Sequence, residues 1–519
     1  MFPILSLITF LPLLGGVALL LIPGERRNII RWAALIIAWV ELMLVLGLLL
    51  AYAQPKAPDV TIGTLPLVTS PTGTNVSAVT FPIQEQLAWL PKLGIGYSMG
   101  VDGLSVLLVV LTALLTVVCI GASFRVEQKM KTYMAFMLLL ECGIIGVFVS
   151  TNLFLFYIFW ELMLIPAYFL IGGWGGERRI YAALKFVLYT SVGSLIMLAG
   201  IIGVGFYYQQ ATHGSFTLDL LTLLNSPATL SKSVQIWLFL AFAAAFAVKV
   251  PFVPFHSWLP DAYTEAPAPV TAMLAGAMAK AGAYGFLRFC LTLFPDAAHT
   301  LAPIFSALAV IGILYCALMA LVQNDMKRLL AYSSISHLGI IMLGIFAFNK
   351  DQGVFSTQGI EGATLQMVNH GITITALFLI VGYIEARTGT RRLSDFGGIA
   401  LRTPLLATVL LIACLSSLGL PGLNSFAGEF LALLGAFRAS PIFGALGTAV
   451  VVPAAWYMIR LFQGIMEGPR QVAGAVAVAL RKGILTDTQL GEFVTLLPLL
   501  LLIFYIGIQP YPLTFLLEH

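Results

Sequence analysis

Six ionisable residues stand inside long apolar runs of the chain, where their types suit them to carry protons: Glu161, Lys249, Lys280, His337, His370 and Glu429. Near a bilayer centre a lysine costs roughly 2.5–3.5 kcal/mol on insertion scales, so such residues pair, face water or relay protons. The competing reading is a set of buried ion pairs that fixes helix packing. A single histidine on an apolar face is more often a satisfied core residue. Two of them on neighbouring apolar runs, between lysine and glutamate sites, favour a relay. Glu141 and Lys185 are weaker candidates, because they have the option of pairing or of snorkelling toward the interface. Glu41 reads as structural, and Arg288 and Arg460, nearer the ends of their runs, read as anchors to headgroups or neighbouring subunits.

The elements that must position these groups include two interrupted helices. Between Val234 and Phe289 an apolar run ending at Lys249 is broken by Pro251 and Pro254, and a second run carries Lys280. Proline within a helix removes a donor and frees the carbonyl four residues back, here those of Ala247 and Val250. Such backbone persists at membrane depth only where protein covers it or water lines it. His256 lies in this break, placed either to cap freed carbonyls or to gate proton uptake. A second interruption, Gly419-Leu420-Pro421-Gly422, leads into Glu429.

The chain is 519 residues long, 60% hydrophobic and 10% charged, with a mean hydropathy of +0.97. A soluble domain carries about 25% charged residues; repeated apolar runs of this length define an all-α polytopic membrane protein. The net charge of +4 does not speak for nucleic acid, because the basic residues lie in short loops. Five cysteines (Cys119, Cys142, Cys290, Cys316, Cys414) lack metal-ligand spacing and read as packing residues. The N-terminal stretch lacks a basic n-region and reads as a first span rather than a signal peptide.

About fourteen spans are expected: near 4–22, 30–52, 103–124, 131–149, 152–172, 181–208, 234–250, 267–291, 301–323, 329–347, 361–385, 404–420 with 425–438, 442–466 and 491–508. With the N-terminus outside, the inner loops carry seventeen Lys and Arg residues against five outside (Lys56, Lys92, Lys232, Lys350, Arg438). Both termini are therefore expected on the non-cytoplasmic side. Residues 1–130 hold spans one to three with an external loop at 54–100, whose valines and threonines suit a small hairpin. Residues 131–291 hold spans four to eight and 301–466 hold spans nine to thirteen; 467–519 hold a cytoplasmic amphipathic segment (Val472–Lys482) and span fourteen. A block of five spans inverts the next one. Two interrupted helices in matching places point to a transporter of two inverted five-helix repeats, with helices seven and twelve broken. Asp102 before Gly103 reads as a helix cap, and Asp261 and Glu265 as caps or as the lining of an entrance.

At four strings the chain resembles a known family. FWELMLIPAYFLIGGWG, AFAVKVPFVPFHSWLPDAYTEAPAPVTAMLAGAMAKAGAYGFLRF, DMKRLLAYSSISHLGI and SLGLPGLNSFAGEFLALLGAF are similar to the antiporter-like subunits of respiratory complex I, most narrowly its M-type chain (chain 4). The resemblance implies fourteen helices, and it matches Glu161, Lys249, Lys280, His337, His370 and Glu429 to the family's charged positions on spans five, seven, eight, ten, eleven and twelve. Glu429 discriminates, because the sister L- and N-type chains and the large Mrp-type subunits generally place lysine there. The resemblance further implies a proton-translocating subunit of an NADH–quinone oxidoreductase that binds no cofactor or metal itself. NADH or another donor, FMN, Fe–S clusters and quinone would belong to partner subunits, beside L- and N-type neighbours in a bacterial plasma membrane or an organelle inner membrane. Consistently, no dinucleotide fingerprint occurs.

At a separation of ~6 Å and an effective dielectric of ~20, a Glu161–Lys249 pair would interact by roughly 3 kcal/mol. Moving a charge against roughly 150 mV takes about 3.5 kcal/mol. Making and breaking that pair is thus commensurate with one transport step. Two alternatives compete. One is a subunit of an Mrp-type Na⁺/H⁺ antiporter, a membrane-bound hydrogenase or a ferredoxin-linked relative, distinguished by the soluble subunits that co-purify. The other is a non-transporting spacer of a membrane arm, which unchanged pumping in a Lys249, Lys280 double variant would favour.

Overall fold

A computed structural model describes residues 3–53, 81–90, 93–226, 230–468, 474–481, 483 and 485–518. Spans one to six are Ile4–Leu21, Arg27–Tyr52, Gly103–Arg125, Met130–Val149, Leu153–Trp174 and Arg179–Thr212. Span seven is Lys232–Lys249, broken and continued by Trp258–Glu265. Ala268–Leu293, Pro295–Leu321, Met326–Ile345 and Thr357–Thr388 are spans eight to eleven. Span twelve is split into Pro404–Ser417 and Asn424–Ala439, and Pro441–Met466 and Leu490–Ile508 complete the set. The protein is thus all-α and polytopic, and each broken helix stands fourth in its block of five. Span four starts on the face with the basic loops and span nine on the opposite face, so the two repeats are inverted.

Short polar residues start several of these helices by accepting otherwise unpaired backbone N–H groups, each worth about 0.5–2 kcal/mol. Asp102 accepts from Ser105 N at 3.0 Å and Asn152 from Phe154 N at 3.0 Å. Asp325 accepts from Arg328 N at 3.1 Å, and Ser356 from Gly359 N at 3.1 Å. Span five is interrupted at Met163, one turn before Pro166, the loosening expected of that proline.

A hairpin pairs Ile83–Leu90 with Ile95–Val101. It lies C-terminal to most of the valines and threonines expected to form one, which fall in 54–80, outside the described residues. Its Glu85 closes the start of span one, accepting from Leu5 N at 2.6 Å and Ser6 N at 3.0 Å. Gly474–Arg481 is helical within the expected amphipathic segment, whose ends also lie outside the described residues. A last helix, Tyr511–Glu518, was not foreseen; it packs so tightly on span three that Gly103 has no room for a Cβ beside Leu516 O.

Spans three, eight, ten and eleven are buried almost throughout, span eight over all of its central stretch. Spans one, two, six, thirteen and fourteen turn a large share of their apolar surface outward, as lipid-facing helices do. Lys280, His337 and His370 therefore sit on the innermost helices.

Candidate proton relay

Span eight departs from regular α-helix over Leu274–Met278, where it is a π-turn. The wider turn leaves Ala275 O free to accept from Lys280 Nζ at 2.6 Å. The lysine, fully buried, is thereby turned back along its helix toward span eleven, where it shares a hydrogen bond with His370 Nδ1 at 2.8 Å. The His370 and His337 rings lie 5.6 Å apart. His337 Nδ1 shares a 2.8 Å hydrogen bond with Glu429 Oε1, which also accepts from Gln366 Nε2 at 2.8 Å. Lys280, His370, His337 and Glu429 thus form one row across spans eight, eleven, ten and twelve.

The break in span twelve holds the far end of this row. Gly419 has φ +67°, a backbone that favours glycine, and Glu429 Oε2 lies 2.9 Å from where its Cβ would be. Across the same break Asn424 and Asn369 clasp each other. Asn369 Nδ2 donates to Asn424 O at 2.7 Å and Asn424 Nδ2 to Asn369 O at 3.1 Å. Asn424 Oδ1 also accepts from Ser416 Oγ at 2.6 Å. The carbonyls at the end of Pro404–Ser417 are met by backbone: Leu415 O accepts from Leu420 N at 3.2 Å and Ser416 O from Gly419 N at 3.0 Å. Neither asparagine was singled out from the sequence; an amide on each of two apolar faces was the only available signal.

Around Lys249 the arrangement is different. Its Nζ makes no hydrogen bond and lies over the rings of Trp160 at 5.3 Å and Phe186 at 5.6 Å. Glu161 interacts with it electrostatically, without a direct hydrogen bond, and Glu161 Oε1 is itself unpartnered. The break beyond Lys249 is capped by backbone and tryptophan. Ala247 O accepts from Phe252 N at 2.9 Å and Val248 O from Trp258 Nε1 at 3.0 Å. His256 Nδ1 is buried without a hydrogen bond, and its ring lies 5.5 Å from that of Tyr315.

Four further charged residues have their surroundings set across the bundle. Lys185 takes the pairing option: it bonds Asp261 at 2.8 Å, because Asp261 on the second half of span seven is brought against span six. Glu141 keeps both oxygens unpartnered, buried beside a second fully buried carboxylate, Glu41. Arg288 is no headgroup anchor: it is buried and pairs with Asp102 at 2.6 Å. Arg460, instead, donates to Leu321 O on span nine.

On the face with the basic loops, an ion-pair network joins spans seven, ten and eleven. Arg391 meets Asp325 at 2.5 Å, Glu265 at 3.4 Å and Glu385 at 3.5 Å. Lys327 meets Glu385 at 2.9 Å. Glu265, Lys327, Glu385 and Arg391, with Arg125 and Pro267, border a cavity of ≈370 Å³ at the start of span eight. Among the described residues no group of three or more His, Cys, Asp or Glu side chains is placed to hold a metal ion.

Residues 150–452 match the family model described as NADH:quinone oxidoreductase/Mrp antiporter, TM. A Rickettsia bellii protein named NADH-quinone oxidoreductase subunit M is 40% identical over 91% of this chain and 94% of its own. A Rhodobacter capsulatus protein of the same name is 40% identical over 90% of this chain and 86% of its own. A chain of respiratory complex I from Thermus thermophilus superposes with a TM-score of 0.82 at 31% identity, covering 99% of this chain and 98% of that one. A chain of the Mrp complex from Dietzia shares the fold, with a TM-score of 0.80 at 22% identity and coverage of 100% and 96%. The chain belongs to the antiporter-like NADH–quinone oxidoreductase subunit M family.

Proposed function

We propose that this chain moves protons across a membrane as the M-type subunit of a complex I-type NADH–quinone oxidoreductase. Glu161, Lys249, Lys280, His370, His337 and Glu429 are its relay. The observation that carries this reading is the buried row from Lys280 through two histidines to Glu429, closed at each end by a 2.8 Å hydrogen bond. A packing role alone would be served at least as well by apolar side chains, since a buried ion pair is often no more stabilising than its apolar isostere. Protons enter from the cytoplasmic side by way of the cavity beside Glu265 and Lys327, and reach Lys249 and Lys280 with water bridging the gaps. The row then carries them laterally to Glu429. Glu141, Lys185 and His256 act as subsidiary relay or gating groups.

The electron transfer that drives this belongs to other subunits, which hold the flavin, the Fe–S clusters and the quinone site. L- and N-type chains flank this one in a bacterial plasma membrane. Residues 131–291 and 301–466 are the two repeats, and both termini lie on the non-cytoplasmic side. Glu429 favours the M-type assignment over an Mrp-type antiporter subunit.

The test is proton pumping by the reconstituted complex. Lys249→Ala and Glu429→Ala each reduce pumping while the subunit still inserts and assembles. Unchanged proton uptake with both substitutions would refute the relay.

A further inference from the structure

We propose that Arg288 and Asp102 form a charge seal over Lys280, closing the direct way to the face that carries the hairpin. A proton on Lys280 then leaves only sideways, through His370. This rests on the relay reading of Lys280.

Lys280 and Tyr284 are four residues apart on regular α-helix, hence on one side of span eight, and Arg288, in a second π-turn over Phe286–Cys290, stays on that side. The contact between the last two confirms it: Arg288 Nε donates to Tyr284 OH at 3.3 Å. Tyr284 and Arg288 therefore occupy the line from Lys280 to the end of the span. The guanidinium is fixed on several sides. Its Nη2 donates to Asp102 Oδ2 at 2.6 Å and to Ser105 Oγ at 3.3 Å, and its carbon lies 5.2 Å from the Phe81 ring centre. Tyr284 OH donates its own proton to Phe148 O at 3.0 Å. Asp102 is 21% exposed and the Arg288 side chain 5%, so this is the last layer before the aqueous face.

A guanidinium does not release its proton in proteins, so it cannot pass one on. A fixed cation in a narrow path also repels an approaching positive charge, the device by which an arginine excludes protons and cations from selective pores. Lys280 itself points the other way, back to Ala275 O and across to His370. The same helix thus offers a proton a lateral acceptor on one side and a permanent positive charge on the other. Stability does not require the pair, since apolar isosteres of a buried pair are often neutral. Without a seal, Lys280 would be a short circuit between the cavity and the opposite face.

The experiment uses the purified, assembled complex in vesicles, without NADH, under an imposed potassium diffusion potential. A trapped pH dye reports passive proton influx. The double variant Arg288→Met with Asp102→Asn leaves no unpaired buried charge, and asparagine still caps span three. It is expected to raise influx roughly tenfold and, with NADH, to lower the protons pumped per electron pair while oxidation continues. Asp102→Asn alone keeps the guanidinium in place and is expected to stay as tight as the wild type. A double variant that assembles normally with wild-type influx and coupling overturns the seal. So does Asp102→Asn alone leaking as much as the double variant, since the packing of the pair and not its charge would then matter. Adding Lys280→Ala to the leaky variant should restore tightness; a persisting leak refutes Lys280 as its source. Lys280→Ala alone with full pumping would instead refute the relay reading, whatever the leak shows.

Discussion

The two lysines of the first repeat are both buried, yet one is wired and the other is isolated. Lys280 bonds a carbonyl exposed by a π-turn and a histidine, and from that histidine a row runs to Glu429, bonded at both ends but with the two imidazoles 5.6 Å apart and His370 Nε2 unpartnered between them. Lys249 bonds nothing and rests between two aromatic rings, with Glu161 acting on it through space. A direct hydrogen bond lets a proton shift with little rearrangement of side chains. An ammonium over rings gains about 0.5–2 kcal/mol and has no acceptor to receive its proton. Proton exchange at Lys249 therefore requires water or a side-chain movement, and its charge state answers to the distance of Glu161. Within the proposed relay, the difference suggests a division of labour: Lys249 with Glu161 would act as the switch, and Lys280 to Glu429 as the wire.

The severest way to break this comparison is Lys249→Arg. Arginine keeps the charge and stacks on Trp160 and Phe186 but does not give up its proton. Pumping by reconstituted complex should fall by about 10²-fold or more, the usual scale for losing an essential acid–base group. Normal pumping would show that a permanent cation suffices there and that Lys249 is no switch. A smaller loss, roughly tenfold, is expected of His337→Gln. Its amide can still bond Glu429 but cannot take up a proton, and water can partly replace it between His370 and Glu429. If His337→Gln cost as much as Lys249→Arg, the wire would be as intolerant as the switch and the distinction would lapse.

Much of this arrangement was readable from the residues, and the unread part has a common cause. Apolar runs and the Pro and Gly interruptions marked the spans and both breaks, because hydropathy and helix breaking are local properties. What a side chain meets across the bundle is not local. Arg288 lies close to the end of its span, which suggested an anchor, but Asp102 opposite it, 186 residues away in sequence, turned it into an internal pair. Lys185 found Asp261 only because the break folds the second half of span seven back against span six. The π-turn that frees Ala275 O leaves no sequence signature in a small-residue stretch such as LAGAM. Asn369 and Asn424, 55 residues apart, looked like unremarkable amides until the fold set them face to face.

That clasp supplies a test of stability rather than transport. Asn424→Ala removes the amide that donates to Asn369 O and the acceptor shared by Ser416 and Thr373, whose hydroxyls keep only their bond to each other. Leaving such buried groups unsatisfied costs about 1–3 kcal/mol. The purified complex should lose this subunit at lower temperature, seen as an earlier thermal transition, while pumping at moderate temperature changes less than in His337→Gln. A collapse of pumping without a thermal shift would place Asn424 in the wire itself.

The smallest expected effect sharpens the other side of the comparison. Trp160→Leu keeps an apolar wall beside Lys249 but removes the ring face 5.3 Å from its ammonium, forfeiting about 0.5–2 kcal/mol of support for the charge. Pumping should slow a few-fold, and adding Glu161→Gln should bring no more than the Glu161→Gln loss itself, because both changes act on the same charge. The two losses are measured as initial rates of vesicle acidification in the single and double variants. Independent, multiplying effects would mean that Trp160 acts on something other than Lys249. Trp160→Leu has no such effect to exert on Lys280, whose proton is held by Ala275 O and His370 rather than by a ring.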